Sequence, residues 1–275
     1  MNPSQFRELT YEVHEGVALV TLNRPEKQNL WSGPMAAEYR WALHHADQDS
    51  AARVVVVAGA GSNFCAGADI GGLEAISDGN GAYEKEPVAL PPHPLDAPPA
   101  LRHNHTAPLA IGVPVIAAIE GACAGAGFVV ATYADLRFVS ETAKVTTAFA
   151  RFGLPAEYGI GWLLPRLVGI PNALDLLYDT RTRSGAEVVR LGWAQRMLPE
   201  GEVAATAVGM ARRLARESSP QSMRTMKRQV FLDAAGDLDD AYRRSVEDMN
   251  GALANPDLRV GIRAQRRKVT PDFLA

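Results

Sequence analysis

Apolar positions along the chain change spacing several times, and each change predicts an element. Residues 11–22, Tyr-Glu-Val-His-Glu-Gly-Val-Ala-Leu-Val-Thr-Leu, hold two β-like runs divided at Glu15-Gly16, which predicts an opening hairpin. Turn residues from Asn23 to Asn29 end it. Ser32 can then cap a helix that brings Met35, Tyr39 and Leu43 to one face and reaches about His45. The run Val54 to Ala58 is apolar throughout and β-branched at its centre, as a strand buried on both faces must be. Pro114 to Ile119 repeats that character, with proline at the first position, where a lost donor matters least. Leu136 to Val139 and Lys144 to Thr147 read as short strands. From about Asn172 the spacing becomes helical, through Ala186 to Leu191, Val203 to Glu217 and Leu238 to Leu253.

Strands first and helices last predict an α/β core over residues 1–200 followed by a helical C-terminal region over 201–275. A long loop at about 71–112 interrupts the core, because Asp78 to Pro99 collects glycine, proline and charge. No internal repeat is visible, which argues against a solenoid.

Of the 275 residues, 47% are hydrophobic, enough for a sizeable core. A formal net charge of −3 gives no electrostatic footprint for nucleic acid or an anionic membrane. No apolar run approaches the roughly 20 residues of a membrane span. The start, Met1 to Glu8, lacks the basic and apolar stretches of a secretory signal. A soluble cytoplasmic protein is expected. Two cysteines, Cys65 and Cys123, make neither a disulfide framework nor a multi-cysteine zinc site, and are expected to act as small core-like residues.

Those cysteines sit in the two segments with the most chemical content. Phe64-Cys65-Ala66-Gly67-Ala68-Asp69 follows the strand ending at Ala58, and Gly121-Ala122-Cys123-Ala124-Gly125-Ala126-Gly127 follows the strand ending at Ile119. Residues this small let a ligand approach the backbone, and a strand-to-helix turn leaves N–H groups without partners. Two such donors aimed at one point form an oxyanion hole. The plainer reading is that small residues let helices pack closely on a sheet. Gly125-Ala126-Gly127 is a poor dinucleotide fingerprint, since Val130 stands where its third glycine belongs and no early βαβ unit precedes it.

The order of segments resembles the enoyl-CoA hydratase/isomerase family, or crotonase superfamily, from roughly residue 8 to residue 273. The resemblance is carried by Val17 to Asn29 with its Asn-Arg-Pro turn, the two small-residue turns and Ala134-Asp135-Leu136-Arg137-Phe138. Gly153-Leu154-Pro155, Leu164 to Gly169 and Arg266 to Phe273 continue it. It implies a crotonase-like spiral of ββα units, homotrimers or hexamers built through the C-terminal helices, and an acyl-CoA thioester as substrate. Coenzyme A enters as part of that substrate, with no separate cofactor and no metal. By the same resemblance the backbone N–H groups of Ala68 and Ala126 are the oxyanion donors. Arg24, Lys27 and Lys268 are candidates for the coenzyme A phosphates and adenine, with the backbone of Ala66 and Ile70 beside the adenine. A solvated charge remains the default for Arg24 and Lys27 in a turn.

Two positions depart from the family pattern. Where its hydratases carry a pair of proton-transferring glutamates, this chain has Val129 and Phe149. Glu157 lies where double-bond-moving members carry an acidic residue. An apolar setting of Leu154, Pro155, Ile160 and Trp162 would raise its pKa and suit it to shuttle a proton; a glutamate stabilised at a helix start is the alternative. Phe149 and Trp162 are expected to shape the acyl pocket, with a plain core role as the alternative for both, and Tyr83 and Tyr158 are further donors. Among Glu84, Glu86, His93, Asp96, His103 and His105, alternation of His103-Asn104-His105 would place both rings on one side, but no third ligand is spaced for a metal. Solvated or loop-stabilising roles are expected there, and structural ones for Asp69 and Asp135. Double-bond isomerisation or a divergent hydration through Glu157 is the leading expectation. Thioester hydrolysis, retro-Claisen cleavage and a non-catalytic acyl-CoA binder are the alternatives.

Overall fold

The computed structural model describes residues 1–69, 71, 78, 90–94, 99–234 and 236–274. Strands β1 (Leu9–His14) and β2 (Val17–Leu22) form the opening hairpin, with Leu9 opposite Leu22 and His14 opposite Val17. Glu15 and Gly16 turn it with φ of 49° and 81°, the left-handed pair that matches strand twist in two-residue hairpins. Strands β3 (Val54–Gly59), β4 (Val115–Ile119), β6 (Leu136–Ser140) and β8 (Arg196–Leu198) add in parallel, giving the order β1-β2-β3-β4-β6-β8. Strands β5 (Ala122–Ala124) and β7 (Lys144–Thr146) pair in a second, smaller sheet. Cys65 extends that sheet through Cys123, and Arg183 extends it through Val145. Successive passes therefore give one piece to each sheet: β3 then Cys65, β4 then β5, β6 then β7. This is the spiral of ββα units.

The described helices are α1 (Gly33–Gln48), α2 (Ala107–Ala110), α3 (Ala126–Thr132), α4 (Ile160–Val168), α5 (Ile170–Tyr178), α6 (Gly185–Arg190), α7 (Val203–Glu217), α8 (Pro220–Asp233), α9 (Leu238–Ala254) and α10 (Pro256–Arg267). Ser32 caps α1 as expected, its hydroxyl accepting the Met35 N–H. The mostly helical C-terminal part begins at Ile160, before the expected start near Asn172. Pro165 sits inside α4 and a glycine separates it from α5, so local breakers hide two helices whose inward faces are apolar.

Strand β3 divides the core. Val55 and Val57 pack with Met35, Tyr39 and Leu43 of α1, whereas Val54, Val56 and Ala58 pack with Val203, Ala207, Ala211 and Ala215 of α7. The alanine row at every fourth residue brings α7 close to the sheet. Asp135 is structural, accepting both the Val115 N–H at the start of β4 (2.7 Å) and the buried Lys227 ammonium of α8 (2.7 Å). Lys227 also donates to Val113 O at 2.9 Å, which ties α8 to the sheet. Helices α9 and α10 leave Leu238, Tyr242, Val246, Met249, Leu253 and Ile262 exposed. Among the described residues no helix is long and apolar enough to cross a membrane, and no group of three His, Cys, Asp or Glu is arranged to hold a metal.

Candidate active site

Backbone pairing joins the two small-residue turns. Phe64 N–H donates to Glu120 O (2.8 Å), Cys65 N–H to Ala122 O (3.0 Å), and Ala124 N–H to Cys65 O (3.0 Å). Asn63 adds its Oδ1 to the Ala122 N–H at 2.8 Å. Cys65 and Cys123 are thus parallel partners, both buried, and burial pushes the Cys65 thiol up to about 11. They are neutral, small core residues, as expected.

Three residues beyond each cysteine come Ala68 and Ala126. Trp31 N–H donates to Gly67 O (2.7 Å) and Asp69 N–H to Trp31 O (3.3 Å), so the bridge to Trp31 turns the Ala68 N–H to the other side. Ala126 opens α3, where the first intrahelical bond is Val129 N–H to Gly125 O at 3.0 Å. Among the described residues neither the Ala68 nor the Ala126 N–H has an acceptor. The glycines before them, Gly67 (φ 128°) and Gly125 (φ 47°), adopt backbone that other residues rarely take. A Cβ on Gly125 would lie 3.9 Å from Gly67 Cα, so the turns face each other. A Cβ on Gly127 would meet Cys65 O at 2.3 Å, which shows how directly α3 sits on the first turn.

The other end of α3 is fixed by Arg137. Its fully buried guanidinium donates to Thr132 O (3.1 Å), Ala134 O and Trp193 O, a cation placed over helix C-terminal carbonyls. Burial pulls its pKa down to about 10, which leaves it charged at neutral pH. Tyr133, immediately after α3, donates its hydroxyl to Tyr158 O. Tyr158 and Gly159 are left-handed (φ 48° and 78°), and Glu157 O accepts the Ile160 N–H at 2.9 Å. One short helix therefore presents the Ala126 N–H at its start and holds the Glu157 turn at its end. Glu157 itself is half-buried.

The enclosure expected around Glu157 is only partly present. Ile160 is buried and Leu154 packs against the core, but Pro155 is exposed. Trp162 is 39% exposed, with the Arg166 guanidinium 3.9 Å above its ring. Ile160, Leu163 and Leu164 occupy the inner face of α4, so Trp162 is turned outward. Instead Tyr158 bears a second ring, His105, stacked at 3.5 Å between centroids. Val129 and Phe149 are sealed in the core at 0% and 3% exposure.

His103 and His105 do not share one side. The segment is a turn in which Thr106 N–H donates to His103 O (3.2 Å) and the Thr106 hydroxyl to Leu101 O (2.6 Å), leaving His103 exposed and His105 half-buried. Burial and the nearby Arg40 cation lower the His105 pKa to about 4.

Arg24 is not a solvated charge. It is 9% exposed, donates to Leu30 O at 2.9 Å, and lies 3.4 Å from Glu8 and 3.8 Å from Asp69. Lys27 is exposed at the tip of the same turn, and the Ala66 N–H is already bonded to Gln28 O at 3.1 Å. Lys268 is exposed just before a tail held at the opposite end of the strands, where Phe273 N–H donates to Arg216 O (2.8 Å). Contacts within one chain thus do not bring it to the Arg24 turn. Ile70, Tyr83, Glu84, Glu86 and Asp96 lie outside the described residues. Asn29 was not anticipated, although its turn setting and tolerance of left-handed backbone mark it. Fully buried at φ 54°, it accepts the Arg24 N–H (2.8 Å) and donates to Ala60 O (2.9 Å) and Asn63 O (2.7 Å). It pins the Asn-Arg-Pro turn to the segment that leads to Ala68.

The profile of the family described as Enoyl-CoA hydratase/isomerase matches residues 12–273. The chain belongs to the enoyl-CoA hydratase/isomerase family. It is 30% identical over 269 residues to a protein of Rhodobacter capsulatus described as a probable enoyl-CoA hydratase, covering 98% of each chain. It is also 30% identical over 267 residues to the 1,2-epoxyphenylacetyl-CoA isomerase of Escherichia coli K12, covering 95% of this chain and 96% of that one. A crystal structure of a probable enoyl-CoA hydratase/isomerase from Mycobacterium abscessus superposes with a TM-score of 0.82 at 29% identity, over 96% of this chain and 97% of that one. This chain is accordingly an enzyme of the hydratase/isomerase type with the crotonase fold, and its substrates are acyl-CoA thioesters.

Proposed function

We propose that the enzyme moves a double bond in an unsaturated acyl-CoA, with Glu157 as acid and base and the Ala68 and Ala126 N–H groups on the thioester oxygen. The observation that carries this reading is the pair of N–H groups, without an acceptor among the described residues, at matching positions of two turns, the second of which opens the helix that also tethers the Glu157 segment. Removing a proton next to the thioester, or conjugated with it, places negative charge on its oxygen, where two fixed donors stabilise it without reorganisation. Glu157 takes a proton from one carbon and gives one to the other, its carboxyl proton exchanging with solvent in between, so in ordinary water substrate and product have the same composition. Hydration by the usual glutamate pair lacks both members, because Val129 and Phe149 carry no titratable group. Isomerisation needs one carboxylate, and therefore fits better than hydration.

In this reading Lys27 and the backbone beside Ala66 receive coenzyme A, while Arg24 acts by holding the turn. Coenzyme A is part of the substrate and no other cofactor is required. The exposed apolar faces of α9 and α10 suit a homotrimer, and the enzyme works in the cytoplasm. Incubating 3-enoyl-CoA esters in heavy water tests the reaction: an isomer that gains deuterium only at the exchanged carbon supports it. Addition of water or release of free coenzyme A contradicts it.

A further inference from the structure

Between Glu157 and the start of α4 the chain turns through two left-handed residues, Tyr158 (φ 48°) and Gly159 (φ 78°). Glycine takes this backbone freely, but in a tyrosine it crowds the Cβ against the following carbonyl. Such a conformation persists only where surrounding contacts over-determine it. Two contacts reach Tyr158 from segments remote in sequence. Its carbonyl accepts the Tyr133 hydroxyl at the end of α3, and its ring lies against the His105 ring, with centroids 3.5 Å apart and planes 23° from parallel. The turn is closed tightly around that hydroxyl, since a Cβ on Gly159 would meet Tyr133 Oη at 2.9 Å.

His105 is itself held in place. The next residue, Thr106, accepts the His103 N–H at 3.1 Å and donates to Leu101 O at 2.6 Å, and Ala107 beyond it is wholly buried. Burial lowers the His105 pKa to about 4, so at neutral pH the stack joins two uncharged rings. One side of Tyr158 is thus fixed through its carbonyl and the other through its ring.

We propose that His105 is a positioning residue: its ring, stacked on Tyr158, keeps that residue in its left-handed backbone and so fixes the direction in which the preceding residue, Glu157, presents its carboxylate. This rests on the reading above, in which Glu157 carries the proton. His105 takes no part in the proton transfer itself.

Steady-state isomerisation of 3-enoyl-CoA by the full chain tests the inference. His105→Phe and Tyr158→Phe keep two rings to stack and should hold kcat within about threefold of wild type. His105→Ala and Tyr158→Ala each remove one ring and should lower kcat about tenfold or more with KM unchanged, the penalty for a misplaced reacting group. Both changes together should cost no more than either alone, because they undo the same stack. A large loss in Tyr158→Phe would assign the effect to its hydroxyl, and a large loss in His105→Phe to imidazole chemistry; either overturns the inference. So does an unchanged kcat in His105→Ala, a KM that rises as kcat falls, or losses that multiply in the double variant. If His105→Ala does not fold, His105→Leu, which fills the space without a flat face, takes its place. Full turnover by Glu157→Gln in the same series would instead overturn the functional reading beneath it.

Discussion

Cys65 and Cys123 are parallel register partners in the smaller sheet, and Ala68 and Ala126 each follow their cysteine by three residues. Register in a sheet is cooperative, so this pairing sets the relative level of two N–H groups that belong to segments far apart in the chain. The cysteines themselves are chemically inert. Their small, buried side chains let the strands and α3 come close together.

Gly127→Ala tests that closeness. The added methyl would meet Cys65 O at 2.3 Å, and backbone on both sides leaves α3 to shift. Overpacking of this kind costs about 1–3 kcal/mol, to be read from the urea midpoint. Because the shift moves the Ala126 N–H, kcat should fall about tenfold or more.

Asn29→Ala removes three buried hydrogen bonds at once, and leaves the Arg24 N–H and two carbonyls without their partners. A loss of about 2–4 kcal/mol is expected in equilibrium unfolding. KM for the acyl-CoA should rise, because the turn carrying Lys27 loses its anchor.

Tyr133→Phe deletes the hydroxyl that holds Tyr158 O, while keeping the buried ring. Steady-state kinetics should show a lower kcat with KM unchanged, since the Glu157 turn loosens and the coenzyme A contacts stay. A stability loss near 1 kcal/mol accompanies it.

His105 gives the protein an acid-sensitive term. Its folded pKa of about 4 lies below the ordinary 6.5, chiefly through burial and secondarily through Arg40. The unfolded chain therefore binds more protons between these values, and stability must rise with pH across that window and fall as pH drops through it. Burial also lowers His93 and His44, which act in the same direction. Urea unfolding at pH 7.5 and at pH 5 should show the loss on acidification, and His105→Gln should shrink it.

The hairpin, the doubly buried β3, the Ser32 cap and the two small-residue turns were legible because local pattern and burial coincide there. Helices α4 and α5 were obscured by Pro165, Pro171 and Gly169, breakers that tertiary packing overrides. The site was legible to the extent that it is backbone. Arg24 reversed its expected exposure because a side chain's direction depends on neighbours remote in sequence, here Glu8. Tyr133 gave no local signal at all, and the stacking of His105 on Tyr158 gave none either. Those contacts exist only once the end of α3, the turn at His103 to Thr106 and the Glu157 segment meet.

In the proposed mechanism one carboxylate, Glu157, and two backbone donors suffice for proton transfer in a site without the usual glutamate pair. Mass spectrometry of the 3-enoyl-CoA reaction in heavy water, run with wild type and Glu157→Gln, tests it most directly. Wild type should yield an isomer carrying solvent deuterium, and Glu157→Gln no product although the ester still binds. Full turnover by Glu157→Gln, or a wild-type product heavier by one water, would contradict it.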